Sequence, residues 1–470
     1  MLVLLQNFRK MAIEDYVDFS KPDSEVIAAL KQKDVKVRPW SSILDEYDSK
    51  CHDIMNREKR KNRKLSGGKF EEVSRIRLDF EKLIAQRMTE FMFALPVNRI
   101  YTGIDGDETK QKIANAIEKI FVKNRIDRVN LKRAKEFFSA CEICTQWIPV
   151  DKKHNEYGFP ASKKLRVRTY SPMSGYNLYP LFDEYDDMIA MSIEYTSTKR
   201  TDQFITYLET YTADKHYKFE NGVKVDELEN PIGKIPFIYA YRENPIWDGV
   251  QHLISELEFT LSRNSDVIAY NSAPMIKVVG DLIGQDDKDM AKRILRVSNG
   301  GDVSYVSWSQ STQAVQDQFN MILRLIWMLM QLPDLSFENI KGLGVVSGEA
   351  MKMMLTDAHL KVGDEKGVFL EFFDRETNVV KAFLKELNPN WVELIDDIEV
   401  EHVISPFIPN DEAAEVHKWL SANGGKPLVS HIDSIKMAGF SSNPQETYEQ
   451  IQKEEKETGM AALKGLADEF

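Results

Sequence analysis

Residues 247–271 read WDGVQHLISELEFTLSRNSDVIAYN, and residues 312–332 read TQAVQDQFNMILRLIWMLMQL. In the first stretch apolar residues, Leu253 and Leu257 among them, recur at the three- and four-residue spacing of one helix face. The second stretch shows the same period and is followed directly by Pro333, which cannot continue a helix. The sequence therefore predicts two long helices separated by an insert.

The second of these helices is apolar on more than one face. Its main stripe includes Phe319, Ile322 and Trp327, while Met321 and Met328 lie on its other faces. A helix that is apolar nearly all round must be buried by protein on several sides. We expect part of that burial to come from a neighbouring subunit.

The parts around the two helices follow a simple order. The insert between the two helices occupies residues 273–311. After the second helix a loop is predicted at residues 333–347, and a third long helix from about residue 348 to residue 387. A loop of about fourteen residues is long for a helix–helix connection, and such loops are usually functional. This order of elements does not suit an enzyme core. It suits a subunit that stands in a ring, lines a channel and holds a mobile loop at the inner wall.

Composition narrows the class of protein. Of the 470 residues, 43% are hydrophobic and 29% are charged, and the net charge is −12. An acidic chain does not bind nucleic acid over a large surface, because neutralising phosphates requires basic residues. It could still let DNA slide past without sticking. We expect no disulfide framework from the three cysteines, no membrane-spanning run and no signal peptide.

The first 246 residues combine helices with a strand-rich region. Residues 1–65 are predicted to be helical and end in a basic run at residues 57–64. This run is either a solvated loop or a contact for nucleic acid or an acidic partner. A core-facing helix is predicted at residues 71–95 and is ended by Pro96. Further helices are predicted at residues 108–123 and 129–140.

From about residue 146 the hydrophobic period changes from helical to strand-like, with short turns that predict an antiparallel meander. The pair Asn221-Gly222 suits a type I′ hairpin turn. Pro236 should lie at a sheet edge or at the start of a strand, because it cannot donate a ladder hydrogen bond. The predicted strands are residues 164–169, 176–182, 188–196, 204–212, 216–219, 223–228 and 235–241.

The C-terminal part mixes short helices with loops rich in proline and glycine. Its stretch at residues 446–456 is highly charged and is predicted to be helical. The last ten residues are predicted to be disordered, as chain ends often are.

Short motifs carry a resemblance to a known family. The sequence GKIPF at residues 233–237, followed by Asn244-Pro245, leads into a helix with Leu253-Ile254 and then the stretch from Ser262 to Asp266. Further on, SGEAMK at residues 347–352 opens the longest helix. In motif and in the order of parts, residues 71–412 resemble the SPP1-like portal proteins of tailed bacteriophages.

The resemblance implies the fold class and the division of the chain. The class is α+β, with a β-rich wing and a small α/β clip inserted between two stem helices. The implied parts are the N-terminal helices and wing (1–246), the first stem helix (247–272), the clip (273–311), the second stem helix (312–332), the tunnel loop (333–347), a long kinked wing helix (348–398) and a helical C-terminal crown (399–470).

The resemblance also implies function, partners and location. The chain would form a ring of about twelve subunits at one capsid vertex of the virion, closed by rotation. Double-stranded DNA would pass through it during packaging and ejection. Its other partners would be the terminase large subunit, a head–tail adaptor and the capsid and scaffolding proteins. No membrane, cofactor, metal or catalytic residue is implied, so the chain would not be an enzyme.

The implied contact residues belong to the tunnel loop and the clip. A flexible loop with a single lysine can touch DNA phosphates without directional demand. In the clip, a short helix predicted at residues 289–297 would carry basic residues either towards a partner or into solvent. The tunnel-loop residues are Asn339, Lys341, Gly342 and Gly344, and the clip residues are Lys277, Lys288, Lys292, Arg293 and Arg296.

The stem dimensions agree with a DNA channel. Helices pack at about 8–10 Å between axes, so about twelve side by side give a circumference near 110 Å and a diameter near 35 Å at the helix axes. Subtracting about 5 Å of helix radius on each side leaves an opening of roughly 25 Å. Duplex DNA would pass through such an opening, and an acidic wall would repel its phosphates.

Other motifs suggest chemistry but fit a structural role better. Cys141 and Cys144 have the spacing of half a zinc site, but no second cysteine pair exists, and we interpret them as buried residues at a helix end. The sequences GGKF at 67–70 and GGKP at 424–427 lack the glycine spacing and the Ser/Thr of a phosphate loop. We interpret both as turns.

The main alternative is a metal-dependent nuclease or another enzyme that processes nucleic acid. It would use Asp286, Asp287 and Asp289. Because these residues are contiguous and precede the helix predicted at 289–297, we interpret them instead as its N-terminal cap. A third hypothesis is a non-viral structural scaffold that is monomeric or dimeric.

Overall fold

The computed structural model describes residues 13–65, 67–104, 106–198, 204–271, 275–279, 282–287, 293–297, 302–306, 312–334, 353–406, 419–424, 428–439, 441 and 443–467. The helices among them are α1 Asp23–Leu30, α2 Trp40–Tyr47, α3 Phe80–Phe93, α4 Glu108–Lys123, α5 Ile126–Ala140, α6 Gln251–Asn271, α7 Thr312–Met330, α8 Thr356–Leu387, α9 His431–Ala438 and α10 Pro444–Ala467.

The strands are short in the N-terminal part and longer in the middle of the chain. They are β1 Arg63–Lys64, β2 Phe70–Glu71, β3 Asn98–Thr102, β4 Glu142–His154, β5 Ala161–Tyr170, β6 Asn177–Phe182, β7 Met188–Thr198, β8 Phe204–Thr212, β9 Lys215–Glu220, β10 Val223–Glu229, β11 Phe237–Tyr241, β12 Met275–Val279, β13 Leu282–Asp287, β14 Arg293–Val297, β15 Asp302–Val306 and β16 Glu399–Val403.

A five-stranded antiparallel sheet of β6 to β10 forms the predicted meander, with strands in chain order. Asn221 and Gly222 connect β9 to β10 with φ of 48° and 85°. Two successive positive φ values define a type I′ turn, so that prediction is confirmed. Asn221 also ties the turn to β8, because its side-chain oxygen accepts a hydrogen bond from Thr206 N at 3.0 Å.

A second sheet has the order β11-β4-β5, so the single predicted meander is wrong at both ends. Strand β4 was missed because its buried half includes the polar residues Glu142, Thr145 and Gln146, which break the apolar pattern. Pro236 directly precedes β11, which lies at the sheet edge, and its carbonyl accepts a hydrogen bond from Trp147 N at 3.0 Å. The prediction for Pro236 is therefore confirmed.

The helices α3, α5 and α8 enclose an aromatic core. Phe93, Phe137 and Phe373 surround Phe369, with ring centroids 5.0 to 6.3 Å apart. Cys141 lies at the end of α5 with a φ of 65°, and it and Cys144 are buried. Their interpretation as buried residues is confirmed, although Cys144 belongs to β4 rather than to a helix end.

One buried ion pair crosses this core from α5 to α8. The Arg133 guanidinium donates two hydrogen bonds to the Glu376 carboxylate at 2.9 and 3.0 Å, and Trp147 Nε1 donates a third at 3.1 Å. The guanidinium also lies over the rings of Phe372 and Phe373. Because both charges are fully buried, each depends on the other for compensation.

Two predicted helix boundaries need correction. The helix predicted at residues 71–95 begins only at Phe80, and residues 72–79 are extended. The charged C-terminal helix is α10, which continues to Ala467, so the predicted disorder is wrong for residues 461–467. The predicted start of the third long helix at residue 348 lies outside the described residues, and α8 runs from Thr356 to Leu387.

The chain divides into two compact units. One comprises Met1–Pro333 with Ala358–Phe407, and the other comprises Asp334–Asp357 with Ile408–Phe470. In the second unit Ser430 caps α9 through a hydrogen bond from Asp433 N to its hydroxyl at 3.1 Å. The ring of His431 stacks on Tyr448 at 5.9 Å, which joins α9 to α10.

Candidate functional site

Helices α6 and α7 pack against each other within the first unit. On α6, Leu257 is fully buried and Leu253 is half-buried. On α7, Ile322 and Trp327 are buried and Phe319 is half-buried. Three of the five residues proposed for the stem helices are therefore buried and two are half-buried.

The opposite face of α7 is apolar and exposed. Met321, Leu325, Met328 and Leu329 recur at helical spacing, and we call them the methionine stripe. Met321, Met328 and Leu329 are 58%, 61% and 52% exposed, which is high for large apolar side chains, and Leu325 is half-buried. Within the part of the chain that the structure describes, a single copy therefore leaves one side of α7 exposed.

Helix α7 ends with a defined geometry just before Pro333. Gln331 has a φ of 54°, and its N–H donates to the Met328 carbonyl at 3.1 Å. Leu332 N donates to the Trp327 carbonyl at 3.2 Å, which completes the pattern of a Schellman cap. The chain thus leaves the helix at a fixed point where the predicted tunnel loop begins.

The four residues proposed for that loop are not part of the structural description. Asn339, Lys341, Gly342 and Gly344 all lie outside the described residues, as does the SGEAMK motif at 347–352. Their role stays a prediction.

The insert between α6 and α7 is a β-ribbon in its described part. Strand β12 pairs with β15, and β13 pairs with β14, both antiparallel. The second ladder is nested inside the first along the chain. The described residues of the insert, 275–279, 282–287, 293–297 and 302–306, are all strand, so they contain only the β part of the expected α/β clip.

The structure separates the basic residues proposed for the clip. Lys277 is exposed on β12, while Arg293 and Arg296 belong to β14, opposite Asp287 and Gly284. The predicted helix at residues 289–297 is wrong for 293–297, because these residues pair with β13 instead of forming local hydrogen bonds. Lys288 and Lys292 lie outside the described residues.

The acidic cluster of the insert also differs from the prediction. Asp286 and Asp287 belong to strand β13, so they do not cap a helix, and Asp289 lies outside the described residues. Across the described part of the chain, no group of three or more His, Cys, Asp or Glu side chains is arranged to hold a metal ion.

Sequence reasoning missed a hydrogen-bond ladder along α6. The amides of Ser74, Ile76 and Leu78 donate to Asp266 Oδ1, Ser262 Oγ and Glu258 Oε1 at 2.7, 2.8 and 2.7 Å. Two residues of an extended chain rise about 6.6 Å. Four residues of a helix rise about 6.0 Å, so the repeats match. The signal was present in the motif from Ser262 to Asp266, whose role could not be inferred without residues 74–78.

The ladder ends in a buried cluster of titratable groups formed by His52, Glu81 and Glu258. His52 Nδ1 lies 2.8 Å from Glu258 Oε1, and His52 Nε2 lies 2.6 Å from the Glu46 carbonyl. Glu81 is fully buried, 3.7 Å from His52, and within the described structure neither of its carboxylate oxygens has a hydrogen-bond partner.

The cluster shifts the pKa of two of its members. Burial would lower the pKa of His52, but its hydrogen bond to Glu258 and the negative charges of Glu81 and Glu258 raise that pKa to about 9. Burial raises the pKa of Glu81 to about 7, although the charge of His52 opposes the rise. The contact between residues 49–81 and α6 therefore contains one group that titrates near pH 7 and one that titrates near pH 9.

The comparison with known families identifies the chain. The profile of the family described as "Phage portal protein, SPP1 Gp6-like" matches residues 32–460. The chain belongs to this portal family. Portal proteins are in general structural rather than catalytic, and the match extends the resemblance seen in residues 71–412 to nearly the whole portal chain.

Solved structures give weaker similarities. "Neck of empty GTA particle computed with C6 symmetry" has a chain 11% identical to the portal chain, with a TM-score of 0.39, covering 77% of this chain and 89% of that one. "Virion of native gene transfer agent (GTA) particle" gives 10% identity and a TM-score of 0.40, covering 90% and 99%. At such TM-scores neither similarity supports an argument.

No curated protein matches the portal chain. Among the described residues, no helix has both the length and the hydropathy needed to cross a bilayer.

Proposed function

We propose that this portal protein forms a closed ring at one vertex of a phage capsid. Double-stranded DNA passes through the ring during packaging and ejection. The observation that carries the proposal is the methionine stripe of α7, since a stripe of large apolar side chains on an otherwise acidic protein requires cover. We assign that cover to a second copy of the chain, because family membership favours a ring, in which the stripe of each copy would pack against a different surface of the next copy.

The parts of the ring follow the division inferred from the sequence. We assign α6 and α7 to the stem and the β-ribbon at residues 273–311 to the clip. Residues 333–347 form the tunnel loop. The sheets within 1–246 and the helix α8 form the wing, and residues 399–470 form the crown. The clip docks the terminase large subunit and later the head–tail adaptor, with Lys277, Arg293 and Arg296 as contact residues. Capsid and scaffolding proteins contact the wing.

Ring formation can be tested by native mass spectrometry and negative-stain electron microscopy of the purified protein. The expected result is a ring of about twelve subunits with a central hole, as closed rotational symmetry requires. A homogeneous monomer or dimer that persists in the presence of scaffolding and capsid proteins would contradict the proposal.

The stripe itself has a matched control within the chain. Leu329→Glu places a charge in the proposed subunit contact and is expected to prevent ring assembly, since a buried unpaired charge costs several kcal/mol. Leu228 in β10 is also 52% exposed, so Leu228→Glu makes the same change at equal exposure away from the stem. Equal assembly of both variants would show that the stripe is not a subunit contact.

DNA contact by the tunnel loop needs a separate experiment. Lys341→Ala is expected to leave the ring intact and to change DNA packaging or retention, because it removes a point charge for phosphate. Loss of the ring in this variant would show instead that Lys341 acts in assembly.

A further inference from the structure

The basic run at residues 57–64 is part of a hairpin that the functions assigned above do not use. We call residues 57–72, which include β1 and β2, the basic hairpin, and they hold seven basic and three acidic residues. The cations Arg57, Lys61, Lys64 and Lys69 are exposed, and no ion pair is formed by any of them in the described structure. Four cations are therefore available to a partner.

The hairpin also carries an exposed apolar surface. Phe70 is 66% exposed and Leu65 is 43% exposed. A nucleic-acid contact through phosphates needs the cations alone, whereas a protein contact uses aromatic anchors with charges around them. The combination therefore favours a protein surface as the partner of the hairpin.

The base of the hairpin is fixed to α6. Arg60 donates to Asp266 Oδ2 at 2.7 Å, and Arg75 donates to the Arg60 carbonyl at 2.9 Å and to Asn62 Oδ1 at 2.7 Å. Arg60 is thus already bound within its own chain. The remaining cations of the hairpin extend from a base that is fixed before any partner binds. A preorganised surface loses less entropy when it binds.

An open acidic groove lies along the N-terminal part of α6, from Gln251 to Arg263. Asp45, Asp53, Asp248 and Glu256 line it, with Phe259 in its wall. Asp53 and Asp248 have internal partners in Lys59 and Arg38, whereas Asp45 and Glu256 are exposed and have no ion pair in the described structure. This face of α6 therefore has a carboxylate-rich rim and an apolar wall.

Two cations also line the groove. Arg263 stacks on Phe259 at 5.6 Å, and His52, whose pKa is raised to about 9, lies in the lining beside Glu258. Because the acidic residues of the lining outnumber these two cations, the groove remains acidic.

We propose that the basic hairpin of one subunit docks in the acidic groove of the next subunit. The hairpin supplies four cations and an exposed phenylalanine, and the groove supplies two carboxylates outside any ion pair of the described structure and an apolar wall. Both belong to every copy, so the contact is heterologous and repeats around a closed ring. Complementary charge would set the register of neighbouring copies and speed their association. The inference rests on the proposed ring and adds a contact separate from the methionine stripe.

The chain contains its own reporter for this contact. Cys51 is exposed and lines the groove, while Cys141 and Cys144 are buried. In a Lys64→Cys variant, mild oxidation of assembled rings is expected to join the new cysteine to Cys51 of the next copy. A denaturing gel without reductant would then show a ladder in multiples of the 54.2 kDa chain. The same scan at Arg57, Lys61 and Lys69 covers the length of the hairpin.

Two control variants show whether the gel ladder comes from the proposed contact. Cys51→Ser must abolish it, and Lys152→Cys, at an exposed position of β4, must not produce it. Intact rings without a ladder at any of the four hairpin positions would overturn the inference and leave the ring standing. A protein that never forms rings would overturn both.

Reversing the charges on the hairpin, in the groove or on both provides a second test. Lys61→Glu with Lys64→Glu, or Asp45→Lys with Glu256→Lys, is expected to weaken ring assembly about tenfold, and the combined four-residue variant to restore it. Lys152→Glu with Lys153→Glu changes the same number of charges at exposed positions of β4 and should have no effect. Normal assembly with reduced DNA retention in the hairpin variant would show that the hairpin contacts nucleic acid and would overturn the inference.

Discussion

Two places in the first unit hold elements together with buried charges, and their charge balance differs. Between α5 and α8, one guanidinium meets one carboxylate, and the carboxylate of Glu376 receives three hydrogen bonds. Between residues 49–81 and α6, the single imidazole of His52 serves two carboxylates, and Glu81 is buried without a hydrogen-bond partner in the described structure. The first site has matched charges, and the second has an excess carboxylate.

This difference in charge balance determines which of the two contacts can respond to a change in pH. A matched bidentate pair is costly to break but has no spare group to titrate. A buried cluster of one imidazole and two carboxylates changes its net charge, because it binds or loses protons near neutral pH. The contact along α6 is therefore the adjustable one, and α6 is one of the two helices that we assign to the stem.

The largest effect is expected where the matched pair is broken. Glu376→Gln leaves the Arg133 charge buried without compensation and should lower the free energy of unfolding by about 3–5 kcal/mol. Glu371 lies on the same helix with a 64% exposed side chain paired to Arg375, so Glu371→Gln should cost less than about 1 kcal/mol. Urea unfolding of the two variants measures the difference, and equal losses would contradict the role given to burial.

Removing the excess carboxylate, that of Glu81, should raise the free energy of unfolding rather than lower it. The pKa of Glu81 is raised to about 7, so its ionised form costs stability above that pH. Glu81→Gln should raise the free energy of unfolding by about 1–3 kcal/mol at pH 8 and change it little at pH 5. Glu90→Gln on the same helix serves as the control. A destabilised Glu81→Gln variant at pH 8 would show that the carboxylate has a stabilising role.

The ladder along α6 should loosen as pH rises. The raised pKa of His52 means that its stabilising contribution is complete below its ordinary value of 6.5 and is lost as pH rises through about 9. The cost of Glu81 appears as pH rises from 4.5 through about 7, so both groups act in the same direction. Amide exchange at Ser74, Ile76 and Leu78, corrected for its intrinsic rate, should report about 1–2 kcal/mol less protection at pH 9 than at pH 6.

In the Glu81→Gln variant the lower part of this pH dependence should disappear, because the group that titrates there has been removed. Protection of the three amides that is constant from pH 5 to pH 9 in the unmodified protein would contradict the charge excess inferred for this contact.

The smallest effect concerns one member of the ladder. Ser262→Ala removes the acceptor of the Ile76 amide and should cost about 1 kcal/mol. Exchange at Ile76 should increase more than exchange at Leu78, whose acceptor is Glu258. Ser255→Ala, on the same helix but outside the ladder, provides the control. A uniform increase along all three amides would mean that the ladder opens as one unit.

Periodicity predicted the parts of the fold that local sequence decides. Helices α6 and α7 lie within a few residues of their predicted bounds, because an apolar stripe and a following proline act over short distances. The hairpin at Asn221 and Gly222 was predictable because its turn requires positive φ at both positions.

Long-range partners decided the parts that were not predicted. Residues 72–79 have helical spacing, but their amides bond to α6 and hold the segment extended. Residues 293–297 have charges that suit a helix, but pairing with β13 makes them a strand. Of the candidate site, the buried faces of α6 and α7 could be predicted. The His52 cluster could not, since Glu258 lies 206 positions from His52 along the chain.

The donors of the ladder along α6 are main-chain groups, and this has a consequence for how the sequence can vary. Any residue except proline supplies an N–H at positions 74, 76 and 78, so the hydrogen bonds do not depend on the side chains there. The acceptors Glu258, Ser262 and Asp266 are side chains and carry the whole chemical requirement. Mutational drift can therefore change the side chains at positions 74, 76 and 78 without removing a donor of the ladder, while α6 must keep its three acceptor oxygen atoms in place.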